Sequence, residues 1–233
     1  MEQKSINTSI DGAQHTIGWY KARLGNITGS SVGKLMGKGR AKDAIFSQTG
    51  YAYLFQIAAE RMIPEVILND EELLKVYLDE VNVSTKAMRI GNEREDDARE
   101  LYQEQTQNIV MQVGSCKHPA IPHFASSPDG ILESEDGDGC IEIKCPLPST
   151  YMEYAASISC AEDLKTVKPD YYWQCMAHMA CTGADFCDFI AYCPYNVKPL
   201  HVVRIDRNEE EIQAMLGKVT SANEYIDELV QKL

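Results

Sequence analysis

The stretch from Ser126 to Pro146, SSPDGILESEDGDGCIEIKCP, carries three side chains suited to work on phosphate esters: Asp129, Glu142 and Lys144. Strand alternation puts Ile141, Ile143 and Cys145 on one face of CIEIKC and Cys140, Glu142 and Lys144 on the other. If GILES and CIEIKCP form a hairpin closed at EDGDG, the face with Glu142 looks towards Asp129, in the turn after HFASS. Two carboxylates then converge with an ammonium beside them. Hard divalent cations take oxygen ligands, and Mg²⁺ usually takes one or two carboxylates with waters and substrate phosphate oxygens. The expected cofactor is therefore Mg²⁺, with Mn²⁺ able to substitute, bound by Asp129 and Glu142, with the Ile143 carbonyl as a further ligand. A third acid, Glu95, comes from a helix whose inward stripe is Met88, Gly91, Glu95, Ala98 and Tyr102. A buried Glu is unfavourable unless it is paired or near a cation, so Glu95 is expected close to the metal, directly or through water. Lys144 would hold or deprotonate the attacking water and offset negative charge in the transition state.

The bland alternative is a surface Glu–Lys pair on a half-exposed strand, which contributes almost nothing to stability. E-x-K alone is common. The nearby SPDG and a Glu on an apolar stripe weigh against that alternative. The DGDG run lacks the full spacing of a calcium-binding loop and reads as a turn.

The elements that must position these groups are legible in outline. WYKARLG predicts a short helix stopped by Gly25. Thr28, Ser30 and Ser31 are candidate N-caps for a helix running to about Gly37. GKGRAK is a basic loop. TGYAYLFQIAAERM and EELLKVYLDEV predict helices joined by the connection IPEVILND. KAMRIGNEREDDARELYQEQ is the clearest helix, with Glu93, Asp96 and Glu100 on its solvated side. NIVMQVGS, HFASS, GILES and CIEIKCP read as strands. STYMEYAASIS predicts a helix, and PDYYWQCMAHMACTG another that starts at Pro169 and ends at Gly183. On the latter, Tyr171, Gln174 and His178 share one face, and Tyr172, Met176 and Met179 share a core face; His178 reads as a packed histidine rather than a ligand. DFIAYCPY and HVVRIDR predict strands before a terminal amphipathic helix. The expected class is α/β, a mixed central sheet flanked by helices. Residues 1–15 read as a flexible segment and 16–233 as one domain.

The 233 residues are 44% apolar and 24% charged, enough for a real core. The net charge of −13 argues naively against a nucleic-acid binder, but a basic channel or metal site can lie inside an acidic exterior. No secretory signal or membrane span is expected. The eight cysteines contain no C-x2-C pair, and reduced, buried thiols are expected rather than disulfides or a metal cluster.

SPDG, eleven residues, then EIK resembles the PD-(D/E)xK nuclease signature. The flanking segments WYKARLGNITGSSVGKLMG, GNEREDDARELY, ASSPDG, EIKCP and YYWQCMAHMACTG follow the order expected of lambda-exonuclease-like, YqaJ-type phage recombinase exonucleases. The resemblance runs from Trp19 to about Tyr195. It is loose over Ile63 to Val83 and in the second half of the terminal helix.

The resemblance implies a restriction-endonuclease-like core in which Asp129 and Glu142 bind metal, Lys144 is the catalytic lysine and Glu95 completes the site. Arg23 and Ser30 match residues that hold a terminal 5′-phosphate, and Ser127 a serine near them. Arg pairs bidentately with phosphate oxygens, and a residue near a helix start adds free backbone N–H groups. Gln174 matches the motif glutamine, Tyr171 lies one turn before it, and Arg40 in the basic loop is expected to touch DNA ahead of the cut. The implied activity is Mg²⁺-dependent removal of one strand of linear duplex DNA from 5′-phosphorylated ends, leaving 3′ tails for phage-type recombination. The implied assembly is a homotrimeric ring partnered by a single-strand-annealing protein, in the cytoplasm of a bacterial host. An endonuclease of restriction or repair type and a catalytically silent DNA-binding module remain as alternatives.

Overall fold

The computed structural model describes residues 14, 16–39, 43–81, 86–134 and 137–233, with the side chains of 86–92 outside that description. Arg40 and nearly all of the segment 1–15 lie outside it too.

The first described element is α1 (Ile17–Arg23), capped by the Thr16 hydroxyl, which accepts from the Trp19 amide. A two-residue strand β1 (Ile27–Thr28) leads directly into α2 (Gly29–Met36). Then come α3 (Gln48–Arg61), α4 (Glu65–Asn69), α5 (Glu71–Val81) and the long α6 (Lys86–Thr106). Five strands follow: β2 (Val110–Met111), β3 (Cys116–Lys117), β4 (Phe124–Ser126), β5 (Gly130–Ser134) and β6 (Gly137–Lys144). The helices α7 (Pro148–Ser157), α8 (Ala161–Val167) and α9 (Pro169–Thr182) precede β7 (Phe186–Tyr192), β8 (Leu200–Asp206) and α10 (Glu209–Lys232).

The main sheet has the order β2-β5-β6-β7-β8. Its central pair β6–β7 is parallel, with Glu142 opposite Phe189, and the other pairs are antiparallel. A parallel pair needs a long crossover, which α7, α8 and α9 supply. A smaller sheet, β1-β4-β3, sits beside it. This is the expected mixed α/β class.

β6 is buried on both faces: Cys140, Ile141, Glu142 and Ile143 are all nearly inaccessible. A central strand covered by helices loses its polar face, so Glu142 lies in the core instead of on a half-exposed edge. Each buried apolar side chain such as Phe189 or Ile141 contributes about 1.5–3 kcal/mol relative to exposure. α9 is buried almost end to end and packs on α2, α8, α10 and strands of both sheets, with Tyr172, Met176 and Met179 in the core.

Several elements differ from the sequence expectation. IPEVILND contains the short helix α4. α8 extends the helical crossover beyond STYMEYAASIS. β1 and β3 are too short to show a period. The strand β6 begins inside DGDG, at Gly137, so only residues 135–136 separate it from β5. Gly139 pairs with Leu132 and Phe186 in that strand, and glycine fits there because a Cβ would stand 2.4 Å from the Phe186 ring. Of the eight cysteines, none is disulfide-bonded; six are buried, Cys145 is half-buried and Cys160 exposed.

Candidate active site

The segment Ser126–Pro128 leaves β4 and delivers Asp129 to the start of β5. The Asp129 amide donates to the Ile141 carbonyl at 3.0 Å, and Asp129 Oδ2 accepts from the Ile143 amide at 2.6 Å. These two bonds clamp the turn against β6 and hold the carboxylate beside Glu142 and the Ile143 peptide. From the other side, the Gln14 amide donates to the Pro128 carbonyl at 2.9 Å. Strand alternation then brings Glu142 and Lys144 to the same face, where Lys144 Nζ meets Glu142 Oε1 in an ion pair. The Lys144 ammonium also lies 4.9 Å from the centre of the Tyr171 ring, a cation–π contact, and Tyr171 in turn stacks on Phe189.

Glu95 approaches from α6, half-buried, and pairs with Arg99 one turn on at 2.6 Å. Arg99 is itself buried; it bonds Asp96 and the Asp129 carbonyl as well, tying α6 to the turn. Ala98 and Tyr102 of the expected stripe are fully buried; Met88 and Gly91 fall where side chains are not described.

The electrostatics of this end are crowded. Burial pushes the Asp129 carboxyl well above its usual range, and the neighbouring Glu142 and Glu95 push it further. Glu95 is raised by burial, against Arg99, with Glu142 adding to the rise. Burial would raise Glu142 too, but Lys144 and His178 outweigh it and hold it below its usual value. Lys144 loses by burial and gains more from Glu142 and Asp129, so its ammonium stays protonated. Among the described residues, the buried Oε1 of Glu142 has the Lys144 ammonium as its one close partner. No three His, Cys, Asp or Glu side chains there form a ready-made metal cage. Carboxylates crowded enough to raise one another suit a hard cation that completes its shell with water and substrate, and Asp129, Glu142 and Glu95 supply the oxygens that could hold it.

The other end of the same cleft is cationic. Arg23, the last residue of α1, lies over the Trp19 ring at 4.3 Å and donates to Ser30 Oγ at 3.0 Å and Ser127 Oγ at 3.4 Å. Trp19 Nε1 donates to the same Ser127 hydroxyl at 3.2 Å. No carboxylate among the described residues pairs with Arg23, and burial lowers its pKa. Ser30 stands in the first turn of α2, where backbone N–H groups are unsatisfied.

Arg23, Ser30, Ser127, Asp129, Glu142, Ile143, Lys144, Glu95, Tyr171 and Gln174 all line one cleft of about 650 Å³. The Gln174 amide faces it with no partner among the described residues. Arg40 lies outside those residues. Sequence reasoning missed Arg99 and Trp19 as members of the site. Arg99 had a signal, its i,i+4 spacing from Glu95; Trp19 had none beyond its place one turn before Arg23. His178, expected to be packed, is buried and hydrogen-bonded to Glu142 at 2.6 Å.

Glu142 and Lys144 on the central strand, Asp129 from the adjoining turn and the cationic Arg23 thus face one cleft. The sequence profile of the YqaJ-like viral recombinase domain matches residues 18–185. The chain belongs to that family. Its structure is similar to that of an alkaline exonuclease from Laribacter hongkongensis, with a TM-score of 0.72 and 29% identity over 93% of this chain and 95% of the other. The same exonuclease in complex with dAMP matches at 30% identity and the same TM-score and coverage. A phage-related exonuclease from Haemophilus somnus 129PT, 15% identical, shares the fold with a TM-score of 0.66 over 89% of this chain and 96% of the other. No curated protein matches. Family and fold together make the chain a nuclease of the exonuclease type. Among the described residues, no helix is long and apolar enough to cross a membrane.

Proposed function

We propose that the protein is a Mg²⁺-dependent exonuclease that shortens one strand of duplex DNA from its 5′-phosphorylated end, in the 5′-to-3′ direction, leaving 3′ single-stranded tails. The observation that carries this reading is the pairing of opposite charge deficits in one cleft. Asp129, Glu142 and Glu95 crowd one end, and Arg23 stands without an anion at the other.

Asp129 and Glu142 would hold the ion, with the Ile143 carbonyl and Glu95 beside it. When bound, Mg²⁺ supplies Lewis-acid polarisation of the scissile phosphate and neutralises developing charge. Arg23, Ser30 and Ser127 hold the terminal 5′-phosphate, which sets the register of the strand. The oxygen of water attacks the next phosphorus and the P–O3′ bond breaks; of the water's two protons, one ends, by way of solvent, on the departing 3′ oxygen and the other stays with the new 5′-phosphate or passes to solvent. Lys144, whose ammonium form is favoured by Glu142 and Asp129, orients the water and offsets phosphate charge. Gln174 is available as a further donor to the attacked phosphate or the water. The products are a 5′-mononucleotide and a strand with a new 5′-phosphate, the group the Arg23 end would hold next. The complex of the Laribacter exonuclease with dAMP supports a mononucleotide product.

The wider setting is phage-type homologous recombination in a bacterial cytoplasm, with a homotrimeric ring around the duplex and a single-strand-annealing partner. Exposed apolar side chains on α3 to α5, including Phe55, Val66, Leu73 and Val76, support an assembled form. Light scattering that found only monomer at micromolar concentration would sink the ring.

The test is linear duplex labelled on one strand, carrying a 5′-phosphate or a 5′-hydroxyl, with Mg²⁺, with EDTA and with Lys144→Ala. Release of mononucleotides from the 5′-phosphorylated strand, lost with EDTA and with the variant, is expected. Cutting of closed circles would point to an endonuclease, and no cleavage at all to a silent binding module.

A further inference from the structure

On the core side of Glu142, away from Lys144, a buried run of hydrogen bonds joins three elements. His178 Nε2 on α9 lies 2.6 Å from Glu142 Oε2 on β6, and His178 Nδ1 lies 2.7 Å from Ser126 Oγ on β4. All three side chains are buried. Neither His178 nor Ser126 lines the cleft. An ionised carboxylate only accepts, so Nε2 carries a proton and donates to Oε2. In the neutral ring Nδ1 then accepts from the Ser126 hydroxyl.

The surroundings are shaped around this run. Gly29, the first residue of α2, faces Ser126: a Cβ there would stand 2.0 Å from its hydroxyl oxygen and 3.2 Å from Ala177 Cβ. A side chain at Gly29 would push Ser126 out of line with the imidazole. Elsewhere α9 fills the core with Met176, Met179 and Ala177. A methionine would pack at 178 as well, and without the desolvation of two ring nitrogens. A polar group in such a place is favourable only when fully satisfied, and then it fixes orientation.

We propose that His178 is a positioning residue for Glu142, with Ser126 setting its tautomer and Gly29 leaving room for that hydroxyl. The imidazole anchors Oε2, so Oε1 is held at the Lys144 side of the cleft, where a cation and the substrate phosphate would meet it. The inference rests on the proposed function, since it concerns the orientation of an acid read there as a metal ligand. Partners behind a ligand commonly change metal affinity about 10–100-fold when removed.

The test is Mn²⁺ binding to the full chain, followed by calorimetry and by the electron paramagnetic resonance of the bound ion, with the melting temperature of each metal-free variant beside it. His178→Met keeps packing and removes the donor; Mn²⁺ affinity is expected to fall about 10–100-fold. His178→Gln can present an N–H near the place of Nε2 and is expected to recover most of that affinity. Ser126→Ala frees the ring to turn and is expected to lose a few-fold. A purely structural histidine would lower the melting temperature in both His178 variants without separating their Mn²⁺ affinities. His178→Met binding Mn²⁺ as tightly as the unaltered chain, or His178→Gln binding no better than His178→Met, would overturn the proposal. If His178→Met does not fold, Ser126→Ala with unaltered Mn²⁺ affinity overturns it. Absence of Mn²⁺ binding in the unaltered chain would instead sink the proposed function.

Discussion

The two ends of the cleft are opposites. At one, three carboxylates share Lys144 and Arg99, and burial with mutual repulsion drives Asp129 towards its neutral form. At the other, Arg23 faces two hydroxyls and an indole, and no carboxylate among the described residues forms an ion pair with it, Glu60 and Glu142 acting only from a distance. Burial without a counter-ion is costly for either sign. A protein that tolerates both deficits in one cleft is arranged for ligands that remove them, a cation at one end and an anion at the other. The segment Ser127-Pro128-Asp129 joins the ends: its serine bonds Trp19 and Arg23, and its aspartate bonds the Ile143 amide.

The sharpest way to break the contrast is to neutralise one end and watch the other. Lys144→Ala or Asp129→Asn should reduce the chemical step about 10²–10³-fold or more. Single-turnover rates with 5′-phosphorylated duplex measure this. The preference for 5′-phosphate over 5′-hydroxyl ends, read from binding, should survive. Arg23→Gln should do the reverse: 5′-phosphorylated ends lose about 10–100-fold in kcat/KM, the equivalent of one charged hydrogen-bonding partner, while slow turnover of 5′-hydroxyl ends is unchanged. If Arg23→Gln slowed both substrates alike, the two ends would not be separable in function.

A third expectation concerns pH in the absence of metal. Asp129 has a folded-state pKa above its unfolded value, so the folded protein holds this proton more tightly. The stability it contributes is present below the unfolded pKa, about 4, and is lost as pH rises through the raised folded pKa. The melting temperature in EDTA should therefore fall over that window, Asp129→Asn should flatten the fall, and Mg²⁺ should reverse it. A profile in EDTA that Asp129→Asn does not alter would remove the crowding from the account.

The sequence made the acid end easier to read than the cationic end, for physical reasons. Asp129, Glu142 and Lys144 sit within sixteen residues, Glu142 and Lys144 obey a strand period and a hairpin returns β6 to the Asp129 turn, so their meeting follows from local geometry. The Glu95 anomaly was visible because a helix stripe is periodic. The cationic end depends on packing between α1, the start of α2 and the SPD turn, which are far apart in sequence, and its role came from family resemblance. Trp19 and Arg99 act through such packing and carried little signal. The Ser126–Glu142 link through His178 needed the register of β6 against α9. β1 and β3, at two residues each, are set by pairing with β4 and leave no pattern to find.

The mildest expected effect is a chemical report on the crowded end. Cys145 follows Lys144 and is half-buried; burial, then Glu95 and Asp129, push its thiol up to about 12, against Arg94 and Lys144. Thiolate is the reactive form, so Cys145 should be alkylated about a thousandfold more slowly at pH 8 than an ordinary thiol, while the exposed Cys160 serves as a reference in the same chain. Glu95→Gln removes one of the charges that hold the thiol protonated and leaves its burial unchanged. Alkylation of Cys145 should then quicken severalfold, with Cys160 unaffected, as followed by mass spectrometry of peptides from the intact, metal-free protein. Because burial is the larger cause, the rate should stay far below that of Cys160. A rate that jumped to the Cys160 level would mean that the substitution had opened α6 from the cleft. An unchanged rate would mean that the charge of Glu95 is already spent on Arg99, and that the crowding at this end is the work of Asp129 and Glu142 alone.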